Sequence, residues 1–281
     1  MKAIGNTKTI LYAVIAVVVF LAVFILTFSR RTPEKNSRQV QLVTFGDSVF
    51  GEVRDGTGIP DQVAEQMGMS FYNGAFGGTQ VGRGDAEYRL AYGKDAFSLV
   101  GLSKSVYAED FGVQQTIRLK ESSTDYFEEV IDGLALIDFS KVELILIQHG
   151  LNDFYAGVPI RNEEDPYDEY TFSGALRTAL KLLREKCPEA EIVLVTPTYT
   201  WYFYEQLTCE EYDVGYGSME AYVAAEKAVA EEFGIEVIDL YHDFFPHEQW
   251  SDWELYTRDG LHPNEAGRKL IAERICEYLQ K

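Results

Sequence analysis

The sequence contains a serine, a histidine and an aspartate in settings that suit nucleophilic catalysis. Ser48 ends the segment VTFGDS, in which an apolar, β-branched stretch gives way to Gly-Asp-Ser. His262 lies in the segment DGLHP, three residues after Asp259. A serine becomes a useful nucleophile when a histidine takes its proton, and the histidine needs a carboxylate to orient it. These residues predict acyl transfer with Ser48 as nucleophile, His262 as base and Asp259 as its orienting partner.

Two further segments could supply donors for the oxyanion of an acyl-transfer transition state. The segment NGAFGGT contains Gly78, whose lack of a side chain lets a backbone N–H approach closely. The segment GLND contains Asn152, whose side-chain amide is a donor, and the backbone N–H of Ser48 would complete the oxyanion hole. Taken singly, each segment, including Gly-Asp-Ser, is just as typical of a turn, because Gly, Asn, Asp and Ser are common turn residues.

Short apolar stretches predict the strands that would position these segments. Two of them, VELILIQ and EIVLVT, are nearly continuous in Val, Ile and Leu, as are strands buried on both faces of a parallel sheet. The predicted strands cover residues 40–45, 70–73, 142–148, 191–196 and 236–240. Ligands of open parallel sheets bind beyond the carboxyl ends of the strands. The segments with Ser48, Gly78 and Asn152 each follow a predicted strand, and DGLHP follows the last one.

Helical patterns separate the predicted strands. Helices are expected over residues 171–186, 219–233 and 263–279, the last beginning at Pro263, and two or three more over residues 86–138. Alternating strands and helices predict a three-layer α/β/α domain over residues 40–281, with a mainly parallel sheet of about five strands.

The segments FGDS, NGAFGG, GLND and DGLHP together resemble the blocks of the SGNH or GDSL hydrolases, and they are spread along residues 43–267, nearly the whole predicted domain. The resemblance implies a flavodoxin-like fold and a catalytic site without metal or cofactor. It implies a triad of Ser48, Asp259 and His262, and an oxyanion hole of Ser48, Gly78 and Asn152. Gly78 is selected over Gly77 because the family's glycine follows its asparagine by five positions. Val49 departs from the family, which often has Leu there.

The resemblance implies a serine esterase that works through an acyl-enzyme. For an exported, membrane-anchored enzyme we expect short-chain or O-acetyl esters as substrates. Its partner would be an ester-bearing small molecule or an acetylated carbohydrate. Two alternatives stay open: an O-acyltransferase acting on cell-surface glycans with the same site, and a non-catalytic surface-binding module. An aromatic run after the fourth predicted strand could be a sugar-stacking wall or a loop packed on the core. It comprises Tyr199, Trp201, Tyr202, Phe203 and Tyr204.

An uncharged apolar stretch over residues 10–28 precedes the predicted domain and is long enough to span a bilayer. It predicts a signal anchor or transmembrane helix over residues 1–29, with a juxtamembrane linker over residues 30–39. The alternative is a cleavable signal peptide, but Arg30 and Arg31 stand where small residues would be expected. Basic residues flank both ends of the apolar stretch in nearly equal number, so its orientation in the membrane is weakly specified. We expect a single-pass protein of the cell membrane with an extracytoplasmic catalytic domain.

The composition argues against several other functions. A formal net charge of −20 repels phosphate backbones, and no basic patch offsets it, so nucleic acid is not an expected partner. The three cysteines form no CxxC motif, which argues against a zinc site or a disulfide framework; they are Cys187, Cys209 and Cys276. A disulfide between Cys187 and Cys209 remains an open alternative. His242 and His247 match no metal-binding spacing, so we expect no metal site.

Overall fold

The computed structural model describes residues 39–84, 93–119 and 122–281. The strands are β1 (Leu42–Gly46), β2 (Phe71–Asn73), β3 (Leu144–Gln148), β4 (Glu191–Val195), β5 (Trp201–Tyr202), β6 (Leu207–Thr208) and β7 (Glu236–Ile238). Five of them form a parallel sheet in the order β2-β1-β3-β4-β7, while β5 and β6 pair as a separate antiparallel hairpin. This order is the flavodoxin-like one, and the five predicted strands are confirmed with ends that differ by up to two residues.

Helices connect the strands. They are α1 (Ser48–Gly51), α2 (Ile59–Met67), α3 (Leu99–Ala108), α4 (Gly112–Thr116), α5 (Phe127–Leu134), α6 (Leu151–Tyr155), α7 (Phe172–Lys186), α8 (Met219–Phe233), α9 (Trp253–Tyr256) and α10 (Glu265–Leu279). Short 3₁₀ helices cover Gly93–Phe97, Ser122–Thr124, Phe139–Lys141 and Trp250–Asp252. Helices α3, α4 and α5 account for those predicted over residues 86–138.

The sheet is buried on both faces, which explains its continuous apolar strands. On β1, Val43 and Phe45 pack in one hydrophobic cluster, while Leu42 packs in another. The first cluster includes buried side chains of α3, α5, α7 and α8, and the second those of α2 and α10. Because side chains alternate along a strand, each central strand contributes to both clusters. The three-layer α/β/α arrangement is therefore confirmed.

The last helix begins two residues later than predicted. The Asn264 side chain accepts a hydrogen bond from Gly267 N at 3.0 Å and caps α10, so the helix starts at Glu265 rather than at Pro263. Pro263 instead forms an isolated antiparallel bridge with Thr257. Asparagine is a strong N-cap because its side chain satisfies a free N–H of the first turn, and here that preference outweighs proline at the first helical position.

Two sequence expectations concern the cysteines and the membrane. Cys187, Cys209 and Cys276 are buried free thiols, so the bridge left open between the first two is not formed. Among the helices that the structure describes, none is both long and apolar enough to cross a bilayer. The predicted anchor over residues 10–28 lies outside the described residues.

Candidate active site

The predicted nucleophile lies at the carboxyl edge of the sheet, where β1 turns into α1. A methyl group at Gly46 would lie 2.9 Å from Gln148 O of the neighbouring strand, so the turn needs glycine. Asp47 N donates to the same carbonyl at 3.2 Å, and Asp47 Oδ1 accepts from Val49 N at 2.9 Å as the N-cap of α1. Ser48 is thus the first residue of a helix, where backbone N–H groups have no acceptor within the helix.

Ser48, His262 and Asp259 form one continuous hydrogen-bonded array. His262 Nε2 is 3.0 Å from Ser48 Oγ, and His262 Nδ1 is 2.8 Å from Asp259 Oδ2. Because a carboxylate only accepts, Nδ1 carries the hydrogen and Nε2 is left to accept the Ser48 proton. Asp259 Oδ1 also accepts from Leu261 N at 3.1 Å and from His262 N at 2.8 Å. The array can therefore deprotonate the serine hydroxyl and stabilise the imidazolium that results.

The charge of Asp259 is favoured by its hydrogen bonds. Burial would raise the pKa of this carboxyl, but hydrogen bonds from the backbone and side chain of His262 outweigh it and hold the pKa below its ordinary value.

At Asp47, by contrast, the effect of burial outweighs that of hydrogen bonding. It is fully buried, and burial raises its pKa to about 7 despite the hydrogen bond from Val49 N. Its Oδ2 atom is buried and has no hydrogen-bond partner among the described residues.

Gly78 lies in a loop that packs against the nucleophile turn. Its φ of +72° is in the left-handed region, which favours glycine. At the preceding Gly77, an added methyl group would come within 3.7 Å of Ser48 Cβ, so the two segments are in close contact. Gly77 N donates to Tyr126 Oη at 2.7 Å, and the Arg54 guanidinium lies 4.6 Å from the centre of the Tyr126 ring. Sequence reasoning missed Tyr126 and Arg54, because no local motif links them to the loop.

Asn152 is connected to the same loop. Its side-chain Nδ2 donates to Thr79 O at 3.0 Å, which uses one of the two amide hydrogens. The neighbouring Asp153 is fully buried and accepts from Val81 N at 2.8 Å and from Gly82 N at 3.1 Å. Asp153 thus holds the loop that follows Gly78, a role that the sequence analysis did not assign to it.

An ion pair between Arg258 and Glu52 lies beside the hydrogen-bonded array. The Arg258 side chain binds Glu52 Oε2, and Arg258 Nε is 3.5 Å from Asp259 Oδ2. The other oxygen of that carboxylate, Glu52 Oε1, is 3.6 Å from His262 Nε2. Neither Glu52 nor Arg258 belongs to the four sequence blocks.

Most of the aromatic run packs in the core. Tyr199, Trp201 and Tyr202 are buried. Phe203 is partly exposed, and Tyr204 is almost completely exposed. The sugar-stacking interpretation is therefore wrong for the three buried rings. Trp201 N donates to Gly260 O at 3.0 Å, so the β5–β6 hairpin instead braces the loop that carries Asp259 and His262.

The remaining histidines lie outside this hydrogen-bonded array. His242 lies between Asp239 Oδ2 at 2.8 Å and Glu220 Oε2 at 2.9 Å, and His247 stacks on Tyr199. No group of three or more His, Cys, Asp or Glu side chains arranged to hold a metal ion occurs in the described part of the chain. His149, just before the Asn152 segment, is buried, and burial lowers its pKa to about 3.

Comparison with known proteins identifies the family. The model of the GDSL-like lipase/acylhydrolase family matches residues 44–270, which include all four sequence blocks. The chain belongs to this family. The resemblance inferred from the sequence is thereby confirmed for most of the domain.

Individual relatives are more distant. An acetylxylan esterase of Xylanibacter ruminicola is 25% identical over an alignment of 210 residues, and the match covers 69% of this chain and 40% of that protein. The chain thus spans less than half the length of this relative. A solved structure from Lactobacillus plantarum has a TM-score of 0.60 at 18% identity and covers 86% of this chain and 97% of its own. A lipase candidate from Chitinophaga pinensis gives 0.58 at 17% identity, with coverages of 86% and 98%.

These likenesses bear on different questions. At such low identity, the solved structures establish the fold alone. The family match places the chain among the GDSL-like lipases and acylhydrolases, as the sequence resemblance predicted.

Proposed function

We propose that this GDSL-family protein cleaves short-chain carboxylic esters, O-acetyl esters above all, with Ser48 as its nucleophile. The observation that carries the proposal is the array in which His262 is hydrogen-bonded to Ser48 Oγ at 3.0 Å and to Asp259 Oδ2 at 2.8 Å. Such an array activates a hydroxyl that is otherwise a weak nucleophile at neutral pH.

The first half of the reaction forms an acyl-enzyme. Ser48 Oγ attacks the ester carbonyl while its proton passes to His262 Nε2, and Asp259 stabilises the imidazolium. The oxyanion accepts hydrogen bonds from the N–H groups of Ser48 and Gly78 and from the Asn152 amide hydrogen not engaged by Thr79. Collapse of the tetrahedral intermediate breaks the bond to the leaving alcohol, whose oxygen takes the proton from Nε2.

The second half regenerates the enzyme. Water enters where the alcohol has left, gives a proton to His262 Nε2 and attacks the acyl carbon. Collapse of this second intermediate releases the carboxylic acid and returns the proton to Ser48 Oγ. An acceptor alcohol in place of water would make the same site an acyltransferase, and product analysis with donor and acceptor together separates the two outcomes.

The test is hydrolysis of p-nitrophenyl acetate by the purified protein. We expect wild-type turnover, labelling of Ser48 by a fluorophosphonate probe, and loss of both in Ser48→Ala. A control variant, Ser140→Ala, removes an exposed hydroxyl from the short 3₁₀ helix Phe139–Lys141 and is expected to retain activity. Activity that survives in Ser48→Ala would rule out the proposed nucleophile.

We propose that the alcohol part of the ester is a carbohydrate, so that the substrate is an acetylated carbohydrate, because the sequence relative is an acetylxylan esterase.

We also propose that the apolar stretch over residues 10–28 anchors the protein, with its catalytic domain outside the cytoplasm. Protease treatment of intact cells is expected to degrade the domain, whereas protection until the cells are lysed would count against export.

A further inference from the structure

Glu52 lies directly beside the reacting groups, although the reaction above does not use it. Its backbone N–H donates to Ser48 O at 3.1 Å, so it follows the nucleophile turn immediately. Arg258 holds Oε2 of its carboxylate, while Oε1 is 3.6 Å from His262 Nε2. One carboxylate oxygen is therefore fixed by an ion pair, and the other faces the nitrogen that transfers the proton.

The closeness of Glu52 to His262 Nε2 sets how far it can lie from the leaving alcohol. To receive its proton, the oxygen of the leaving alcohol must come within about 2.6–3.2 Å of His262 Nε2. Because Glu52 Oε1 is 3.6 Å from the same nitrogen, the two oxygens lie at most about 6.8 Å apart. A hydroxyl on the carbon next to the ester-bearing carbon can fill this gap and donate to Oε1.

The charges of Glu52 and Arg258 determine which kind of ligand group they can bind. An ionised carboxylate only accepts hydrogen bonds, so its ligand must be a donor. Arg258 balances the charge of Glu52, which weakens the attraction for cations but leaves the acceptor oxygen in place. A neutral hydroxyl is therefore the best match, and an anionic group beside the ester oxygen is disfavoured.

We propose that Glu52, held by Arg258, determines specificity by accepting a hydrogen bond from a hydroxyl adjacent to the ester in the leaving alcohol. The preferred substrates are then esters of polyhydroxylated alcohols, such as sugar rings with a free neighbouring hydroxyl. This inference rests on the proposed function, since it presupposes that Ser48 cleaves esters.

The test compares two acetates that differ by one hydroxyl: cyclohexyl acetate and the monoacetate of 1,2-cyclohexanediol. The measured quantity is selectivity, the ratio of kcat/KM for the diol monoacetate to kcat/KM for cyclohexyl acetate. We expect a wild-type selectivity of about 10 to 100, the range given by a hydrogen bond to a charged acceptor. Glu52→Met should bring it close to one, and Glu52→Gln, which keeps an acceptor oxygen without the charge, should give an intermediate value.

Two further variants complete the design. Arg258→Met removes the partner that fixes Oε2 and is expected to lower the selectivity. Glu65→Gln removes an exposed carboxylate from α2 and is expected to leave the selectivity at its wild-type value. Labelling by a fluorophosphonate checks in each variant that Ser48 and His262 are correctly assembled. Because its leaving group is fluoride, this check does not depend on recognition of a leaving alcohol.

The outcomes are distinguishable. A wild-type selectivity near one overturns the inference. So does an equal loss of both rates in Glu52→Met or Glu52→Gln, because Glu52 would then only support His262. Failure of the proposed function looks different: wild-type protein would hydrolyse neither acetate, and Ser48 would not react with the fluorophosphonate.

Discussion

The buried carboxyl of Asp47 makes the stability of this protein depend on pH in a way that one substitution should reveal. Burial raises the pKa of Asp47 from 3.8 to about 7 in the folded protein. The unfolded chain therefore loses this proton first as the pH rises. The contribution of Asp47 to stability is fully present below about pH 4 and is lost as the pH rises through about 7.

The magnitude follows from the two pKa values. Each pH unit between them corresponds to about 1.4 kcal/mol, so ionisation of Asp47 costs about 4 kcal/mol of the free energy of unfolding by pH 8. Asp47→Asn cannot ionise, and asparagine caps a helix as well as aspartate does. The variant should match the wild type near pH 4 and exceed its stability increasingly up to pH 8.

The assay is urea unfolding of both proteins at pH 4.5, 6 and 8, with equal m-values as the condition for comparison. Titrating groups that do not interact with Asp47 affect both proteins alike, so they cancel in the difference. Glu65→Gln controls for the loss of one exposed negative charge. A difference between Asp47→Asn and wild type that stays constant with pH, or that shrinks as the pH rises, would refute the argument from burial.

Three further predictions concern the loops around the nucleophile. Asn152→Ala should lower kcat for p-nitrophenyl acetate by about 10²–10³, whereas a loss under threefold would remove Asn152 from the oxyanion hole. Asp153→Asn leaves a buried backbone N–H without its acceptor and should lower the free energy of unfolding by about 1–3 kcal/mol; an unchanged urea midpoint would contradict this. Tyr126→Phe removes the acceptor of the partly buried Gly77 N and should cost about 0.5–1.5 kcal/mol, and equal stability would show that the bond contributes little.

The sheet and the central array could be predicted because their signals are local. Strands buried on both faces are continuous in Val, Ile and Leu, and β3 and β4 have that pattern whatever surrounds them. Asp259 and His262 are three residues apart in one turn, so their contact depends little on the rest of the fold. Gly78 also carries a local signal, since its φ is positive and favours glycine.

Long-range contacts account for what the sequence analysis missed. Tyr126 is 49 residues from Gly77, and Arg258 is 206 residues from Glu52, so neither pair has a spacing that could be recognised. The aromatic run was misleading for the same reason. Tyr199 and Trp201 are buried because the hairpin packs against the body of the domain, and surface and core aromatics look alike in a sequence.

The hydrogen bond between Ser48 and His262 joins residues that are 214 positions apart, one after β1 and the other before α10. We expect a contact of such long range to close late in folding, because the intervening chain must first be ordered. Most of the sheet can therefore form while the nucleophile still lacks its base. During refolding, recovery of fluorophosphonate labelling should lag behind recovery of secondary structure, so the enzyme becomes reactive only when its architecture is complete.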